Sequence, residues 1–288
     1  MSTAALDALA AAHRLPVPFP ALADYRRIAA AIAGRAAAGP MLVGICGSQG
    51  SGKSTMAAFL AALLDAEGLP TAILSIDDLY LDPEDRPTAI HPLFATRGVP
   101  GTHDVALGLA TIDRLFAARP DETVAIPRFD KAADRRHPAE RWDAFAGPAR
   151  VVLLEGWFVG ATPQAAATLA DPVNPLEAEE DRDARWRMHA NEALAGAYAD
   201  LFGRIDYLVF LAAPSFDCVF GWRQRQEEKL RAASGGGAGV MDDAALARFI
   251  RHYERLTRHL LATLPAQADA VAELAPDQTI RAVRFREG

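Results

Sequence analysis

The sequence has few of the features that would mark a secreted, membrane-spanning or nucleic-acid-binding protein. Only Cys46 and Cys218 occur among 288 residues, too few for a disulfide framework. No apolar run approaches the length of a membrane span, and the chain does not open on a basic segment followed by an apolar stretch. The formal charge of −7 disfavours general nucleic-acid binding, because neutralising phosphates needs a basic surface. We therefore expect a soluble, cytoplasmic protein that binds neither membranes nor nucleic acids.

One glycine-rich segment indicates nucleotide chemistry. Residues 47–54 read GSQGSGKS, which fits the phosphate-binding pattern G-x-x-x-x-G-K-[ST]. A chain of this composition would match that pattern by chance about once in a thousand cases. An apolar run at 41–46 precedes the segment, and apolar residues follow it at helical spacing from Met56 to Leu64. The sequence therefore predicts a strand, a phosphate-binding loop and a helix.

The residue types of this loop indicate how it would hold a nucleotide. Backbone amides at the start of the helix would surround the phosphates, and the glycines would let them approach closely. Lys53 would reach the β- and γ-phosphates, while the Ser54 hydroxyl would bind Mg²⁺. The predicted nucleotide-binding residues are Gly47, Ser48, Gln49, Gly50, Ser51, Gly52, Lys53, Ser54 and Thr55.

Alternating strand and helix patterns predict an α/β fold. We expect a three-layer P-loop NTPase fold, in which a mostly parallel sheet is flanked by helices and a helical lid is added. The predicted strands cover 41–46, 71–76, 123–126, 150–154 and 205–211, and the predicted helices cover 109–116, 184–202, 215–231 and 242–264. A glycine-rich loop at 234–239 separates the last two helices. We predict one domain over 1–288, with a helical extension at 1–38 and a lid plus C-terminal helices at about 215–264.

Carboxylates end two of the predicted strands. Glu155 follows the strand at 150–154, where an acidic residue can hold Mg²⁺ directly or through water; a surface carboxylate is the alternative. Asp77 and Asp78 end the strand at 71–76, which we expect to neighbour the P-loop strand. Either aspartate could accept a proton from an attacking hydroxyl, and we favour Asp77. The alternative role for both is to cap a turn or helix.

Two loops carry candidate substrate residues. The phrase PGTHD at 100–104 places His103 and Asp104 before a helix, where Asp104 is equally suited to be the N-cap. The phrase PRFDKAADRR at 127–136 concentrates cations around one aromatic residue, and its Lys131 is one of only three lysines beside 27 arginines. Such a cluster suits a substrate carboxylate, with a solvated charged loop as the alternative.

Two further charged segments are open to more than one interpretation. Arg223, in a predicted helix, could close over the γ-phosphate, or it could pair with Glu227 on the helix surface. The acidic run EAEED at 177–181 could suggest a metal site, but we predict a solvated loop there.

Taken together, these phrases resemble the plant-type D-glycerate 3-kinases and their fungal and bacterial relatives, within the uridine kinase and phosphoribulokinase-like P-loop kinases. On this resemblance the chain is identified as a bacterial member of the family. The matching phrases lie at 47–54, 75–81, 97–104, 127–131, 155–160, 174–177 and 222–227. P-loops occur in many superfamilies, but the combination with PGTHD and EGW is far more specific. Leu79 departs from the pattern, since many relatives have Phe there.

The resemblance implies transfer of the ATP γ-phosphoryl group, with Mg²⁺, to a hydroxyl of D-glycerate. It matches Asp77 to the catalytic base and Glu155 to the metal-associated carboxylate. The other two predicted catalytic residues, Lys53 and Arg223, come from the P-loop pattern and the charged helix. The substrate residues that it suggests are Asp78, Tyr80, His103, Asp104, Asp130, Lys131, Arg136 and Trp157. A P-loop kinase of a nucleoside, sugar phosphate or pantothenate is the nearest alternative. A non-kinase P-loop NTPase is disfavoured because neither N-K-x-D nor L-S-G-G-Q occurs.

Overall fold

A computed structural model of the protein describes residues 2–234 and 243–286. Its α-helices are Thr3–Ala12 (α1), Leu22–Ala36 (α2), Lys53–Ala66 (α3), Val105–Ala117 (α4), Pro175–Glu180 (α5), Arg185–Ala195 (α6), Ala197–Phe202 (α7), Phe216–Ser234 (α8) and Asp243–Gln267 (α9). Its strands are Met41–Gly47 (β1), Thr71–Ser75 (β2), Thr123–Ile126 (β3), Phe129–Asp130 (β4), Arg135–Arg136 (β5), Asp143–Ala146 (β6), Val151–Gly156 (β7), Tyr207–Ala212 (β8), Ala270–Leu274 (β9) and Ile280–Phe285 (β10).

A six-stranded sheet forms the centre of the molecule, in the order β10-β9-β8-β1-β7-β2. All neighbouring strands in it are parallel except β9 and β10. Strands β1 and β7 are buried along their whole length because helices cover both faces. The apolar sides of α1, α2 and α3 pack on one face, and those of α4, α7 and most of α9 pack on the other. The predicted mostly parallel sheet between two helical layers is therefore confirmed.

Two details of the predicted sheet are wrong. Strand β2 does not lie beside the P-loop strand, because β7 is inserted between β1 and β2. Glu155 consequently pairs in register with Ile45 on one side and with Ser75 on the other. The strand predicted at 123–126 forms as β3 but pairs antiparallel with β6 in a separate two-stranded sheet. In β3 only Val124 and Ile126 are buried, and this alternation is typical of a strand covered on one face.

The helix predictions also need two corrections. The helix predicted over 184–202 is interrupted at Gly196, which divides it into α6 and α7. The solvated loop predicted at 177–181 is instead mostly the helix α5, and two of its carboxylates are 0% exposed. Glu177 pairs with Arg255 at 2.6 Å, and Asp181 pairs with Arg187 at 2.8 Å. These two carboxylates can be buried because each pairs with a buried guanidinium group. The partner of Glu177 is distant in the sequence.

The Glu177–Arg255 pair makes a stability prediction. Replacing Glu177 with glutamine should lower the free energy of unfolding by about 3–5 kcal/mol, because it leaves a buried guanidinium without its counter-charge. Chemical denaturation of the wild type and variant measures the difference. Glu179→Gln, at an exposed position two residues away, is the matched control and should change little. Equal stability of the two variants would contradict this reading of the pair.

The ends of the predicted domain also form helices. Helices α1 and α2 occupy the extension predicted at 1–38, and α8 and α9 occupy the segment predicted at about 215–264. From residue 235 onward, the glycine-rich loop predicted at 234–239 lies outside the described residues. Within the described ranges, no helix combines the length and apolar character that crossing a membrane requires.

Candidate active site

The P-loop joins β1 to α3 in a shape that requires its glycines. Gly50 and Gly52 have φ values of +80° and +89°, in the left-handed region that glycine adopts without strain. A Cβ on Gly47 would lie only 2.5 Å from the Ser51 hydroxyl oxygen. Gly52 is the N-cap of α3, and no side chain in the described part of the chain caps that helix. The first amides of α3 are thus available to an anion.

Ser54 and Glu155 meet beside the P-loop. The Ser54 hydroxyl donates a hydrogen bond to Glu155 Oε1 at 3.1 Å. Glu155 is only 6% exposed, and its Oε2 atom has no hydrogen-bond partner among the described residues. A carboxylate oxygen without a hydrogen-bond partner and a neighbouring hydroxyl are both oxygen ligands of the kind that Mg²⁺ prefers. The two residues therefore fit the predicted metal role.

Asp77 lies in a short turn after β2, at the same edge of the sheet. Its carboxylate accepts hydrogen bonds from Lys131 Nζ at 2.6 Å and from the Tyr80 hydroxyl at 2.7 Å. Burial by itself would raise the pKa of Asp77, but the Lys131 and Lys53 ammonium groups outweigh it and lower the pKa to about 2. The carboxylate is consequently ionised at neutral pH, and a P-loop lysine acts on it electrostatically.

Asp78 has a different environment from its neighbour. One carboxylate oxygen accepts from Arg128 at 2.9 Å, and the other accepts from the Phe129 amide at 3.0 Å. Burial raises the pKa of Asp78, while Arg128 and the Phe129 amide act in the opposite direction. Both carboxylate oxygens of Asp78 thus hold the loop before β4 in position, which is a structural role. This contact with the chain favours Asp77 over Asp78 as the group that faces a substrate.

The PGTHD loop lies directly beside Tyr80. Tyr80 and His103 form an isolated antiparallel bridge, with their ring centroids 4.7 Å apart. Asp104 accepts from the Leu107 amide at 2.9 Å, so its alternative role as the N-cap of α4 is present. The same carboxylate also pairs with Arg136 at 3.2 Å. Tyr80, His103, Asp104 and Arg136 are therefore brought together around Asp77 and Lys131.

Three other predicted residues contact the protein itself. Asp130 accepts from the amides of Ala132 and Ala133, which stabilises the turn that carries Lys131. Trp157 is 3% exposed, and its indole donates to the Gly98 carbonyl oxygen at 2.7 Å, supporting the loop before PGTHD. The Arg223 guanidinium carbon lies 5.7 Å from the centre of the Phe249 ring. The side chain of Glu227, the alternative partner of Arg223, is outside the described residues.

A network that the sequence analysis missed holds the Lys131 turn in place. Asp134, with a φ value of +53°, pairs with both Arg86 and Arg97. Arg97 also donates to the Lys131 carbonyl oxygen at 3.1 Å. These contacts join residues 34 to 48 positions apart, so no local sequence pattern predicts them. In the sequence, the position of Arg97 just before PGTHD is the one sign that this arginine lies near the site.

A cavity of about 380 Å³ opens next to the P-loop and was also missed. Its walls come from the segment between α1 and α2 and from the turn between β9 and β10. The Gln278 side chain in that turn donates to the Gly50 carbonyl oxygen at 2.6 Å. Lining residues include Phe19, Tyr25, Gly52, Thr55, Thr279 and Ile280. Because the walls come from both ends of the chain, the sequence pattern gives no sign of the cavity.

A phosphate-binding loop, a hydroxyl and carboxylate for a metal, and an ionised aspartate paired with a lysine lie together at the carboxyl ends of β1, β7 and β2. These groups define a P-loop phosphotransferase.

Comparisons with known proteins agree with this class. The chain is 33% identical over 230 residues to "Uncharacterized kinase mug58" from Schizosaccharomyces pombe, covering 74% of this chain and 78% of that protein. It is 27% identical over 252 residues to "D-glycerate 3-kinase, chloroplastic" from Arabidopsis thaliana, covering 83% of this chain and 52% of that longer protein. No family model matches the chain.

Solved structures show the same fold. D-glycerate 3-kinase from Cryptococcus neoformans superposes with a TM-score of 0.77 at 22% identity, covering 93% of this chain and 99% of that one. The YGR205w protein superposes with a TM-score of 0.66 at 24% identity, covering 86% and 90%.

The chain belongs to the kinase family of these relatives, in which the plant protein is named a D-glycerate 3-kinase. The predicted family and enzyme class, an ATP-dependent type of phosphotransferase, are thereby confirmed.

Proposed function

We propose that the protein transfers the γ-phosphoryl group of ATP to D-glycerate. The observation that carries the proposal is the 2.6 Å contact between Asp77 and Lys131 beside the P-loop. A hydroxy acid presents a hydroxyl, which suits a carboxylate base, and a carboxylate, which suits a cation. The names of the plant and fungal relatives supply the particular acid and point to its 3-hydroxyl.

The P-loop and the neighbouring cavity would bind the nucleotide in two parts. The amides at the start of α3 and the Lys53 ammonium group would hold the phosphates, and the cavity would accept the nucleoside. Ser54 and Glu155 would hold Mg²⁺, which when bound supplies positive charge to the phosphates. Arg223, which lies in the predicted lid, would place a positive charge near the phosphoryl group that is transferred.

Asp77 would accept the proton of the attacking hydroxyl. In the unliganded protein, its contact with Lys131 makes the carboxylate a weak base. A substrate carboxylate that draws Lys131 away would remove a neutralising charge and raise the pKa of Asp77. Substrate binding would therefore both orient the hydroxyl and strengthen the base that receives its proton. His103, Asp104 and Arg136 would line the same acceptor site.

The metal role of Glu155 makes a testable prediction. Glu155→Gln should raise the Mg²⁺ concentration needed for half-maximal rate by roughly 10- to 100-fold, because it removes a buried anionic oxygen near the metal. Initial rates measured against MgCl₂ at fixed total ATP give this number. Glu67→Gln, at an exposed position after α3, is the matched control. An unchanged Mg²⁺ requirement in the Glu155 variant would remove the residue from the metal site.

An acceptor panel tests the proposed substrate. ADP release with Mg-ATP is measured for D-glycerate, L-glycerate, uridine, ribulose 5-phosphate and pantothenate, with Lys53→Ala as the blank. We expect turnover with D-glycerate alone. Activity on another acceptor, with none on D-glycerate, would keep the kinase class and discard the substrate.

The cytoplasmic location suggested by the sequence stays a prediction.

A further inference from the structure

His103 is buried and hydrogen-bonded on only one side of its ring. The residue is 6% exposed, and its Nδ1 atom lies 2.7 Å from the Tyr198 hydroxyl oxygen. Its Nε2 atom is buried and has no hydrogen-bond partner in the ranges that the structure describes. A buried polar atom left unpaired is costly, so native sites rarely keep one without a reason.

The contacts of Tyr198 determine which nitrogen carries the proton. The Gly101 amide donates to the Tyr198 oxygen at 3.1 Å. Burial raises the pKa of Tyr198 well above its ordinary value, so the phenol keeps its own proton. Among the described residues, His103 Nδ1 is the only hydrogen-bond acceptor recorded for that proton. We therefore assign Nδ1 as the unprotonated nitrogen, because an Nδ1–H would donate to the Tyr198 oxygen and leave the Tyr198 proton without an acceptor.

The remaining proton of the neutral ring is then on Nε2. Burial lowers the pKa of His103 to about 3, so the ring carries no charge near neutral pH. The ring packs against Tyr80, whose hydroxyl donates to Asp77. Among the described residues, an uncharged N–H donor without a partner thus lies beside Tyr80, one side chain away from the proposed base.

We propose that Tyr198 is a positioning residue, which fixes His103 as the Nε2–H form so that this group donates a hydrogen bond to an oxygen of the acceptor substrate. The inference rests on the proposed function, because the oxygen belongs to the acceptor. Lys131 recognises charge, whereas His103 recognises a correctly placed carboxylate or hydroxyl oxygen. Tyr198, in helix α7, carries no sequence pattern that would have marked it.

Nitrogen NMR of the ¹⁵N-histidine-labelled wild type tests the protonation state without any substrate. The His103 signals are assigned by their loss in His103→Gln. We expect an unprotonated Nδ1 and a protonated Nε2, and the Nε2 signal should shift on addition of D-glycerate. A protonated Nδ1 in the wild type would overturn the proposal whatever the substrate proves to be. If the wild type fails to phosphorylate D-glycerate, the proposed function fails, but the spectrum still decides the state of His103.

Steady-state kinetics test the positioning role. Tyr198→Phe should raise KM for D-glycerate by about 3- to 10-fold, the effect of one misplaced hydrogen bond, while KM for ATP stays unchanged. Tyr207→Phe removes a hydroxyl from another buried tyrosine, at the start of β8, and is the matched control. A parallel rise in both KM values, or no change in either, would overturn the proposal.

A second pair of variants separates the two ring nitrogens. The amide nitrogen of glutamine can occupy the position of Nε2, whereas that of asparagine reaches only the position of Nδ1. His103→Gln should therefore retain a lower KM for D-glycerate than His103→Asn. Equal KM values, or a lower value for the asparagine variant, would contradict an Nε2–H donor. The wild-type spectrum needs a His103 variant only for the assignment of its signals, and His103→Asn serves if His103→Gln folds poorly, so poor folding of one substituted protein leaves the proposal testable.

Discussion

Replacing Lys53 with alanine is expected to lower kcat/KM for phosphoryl transfer by at least about a thousandfold. The lysine would neutralise charge on the β- and γ-phosphates, and removing one such preorganised group commonly costs two to three orders of magnitude. Initial rates with Mg-ATP and D-glycerate measure the effect.

Two controls separate lost catalysis from lost folding. The thermal unfolding midpoint should stay near the wild-type value, because Lys53 is the first residue of α3 and is only partly buried. Lys53→Arg keeps the charge but changes its shape, so it should recover only part of the activity. A Lys53→Ala protein with activity within tenfold of the wild type would contradict the role assigned to the P-loop.

Replacing Asp77 with asparagine should lower kcat by roughly 10²- to 10⁴-fold, the usual range for loss of a general base. KM should change much less, because the amide keeps the size of the carboxylate and can still contact Tyr80. In the free protein the pKa of Asp77 is about 2, so mild acid should not lower kcat/KM of the wild type through this group. Stopped-flow or steady-state rates of ADP formation give both constants.

Asp78→Asn is the comparison that decides between the two neighbours. Its carboxylate is held by Arg128 and the Phe129 amide, so its replacement should act through the loop before β4. We expect lower thermal stability and a modest rise in KM for the acceptor, with kcat largely kept. If Asp78→Asn lost as much kcat as Asp77→Asn, the base would be reassigned to Asp78.

The part of the site that the sequence predicted is the part that depends on local chain geometry. Gly50 and Gly52 adopt positive φ values that other residues avoid, and Lys53 and Ser54 follow at a fixed spacing, so a short phrase carries the whole P-loop. The position of Glu155 followed in the same way from an apolar strand that ends on an acid. These sequence patterns depend on a few neighbouring residues and not on the rest of the chain.

What the sequence did not predict depends on contacts between distant segments. The order of β1, β7 and β2 results from packing of the whole sheet, and each strand alone reads as a similar apolar run. The sequence predicts a solvated loop at 177–181 because no residue near that run identifies Arg255 as the partner of Glu177. The link between Tyr198 and His103 spans 95 positions. Only the folded chain shows which charges and hydroxyls meet.

The central claim is tested most directly by phosphorus NMR of the reaction itself. The protein is mixed with Mg-ATP and D-glycerate, and the γ-phosphate signal of ATP is followed to its product. The account predicts a phosphate ester whose signal is split by the two protons on C3 of glycerate, with one ADP formed for each ester. Release of inorganic phosphate alone, or an ester on a different molecule only, would contradict D-glycerate as the acceptor.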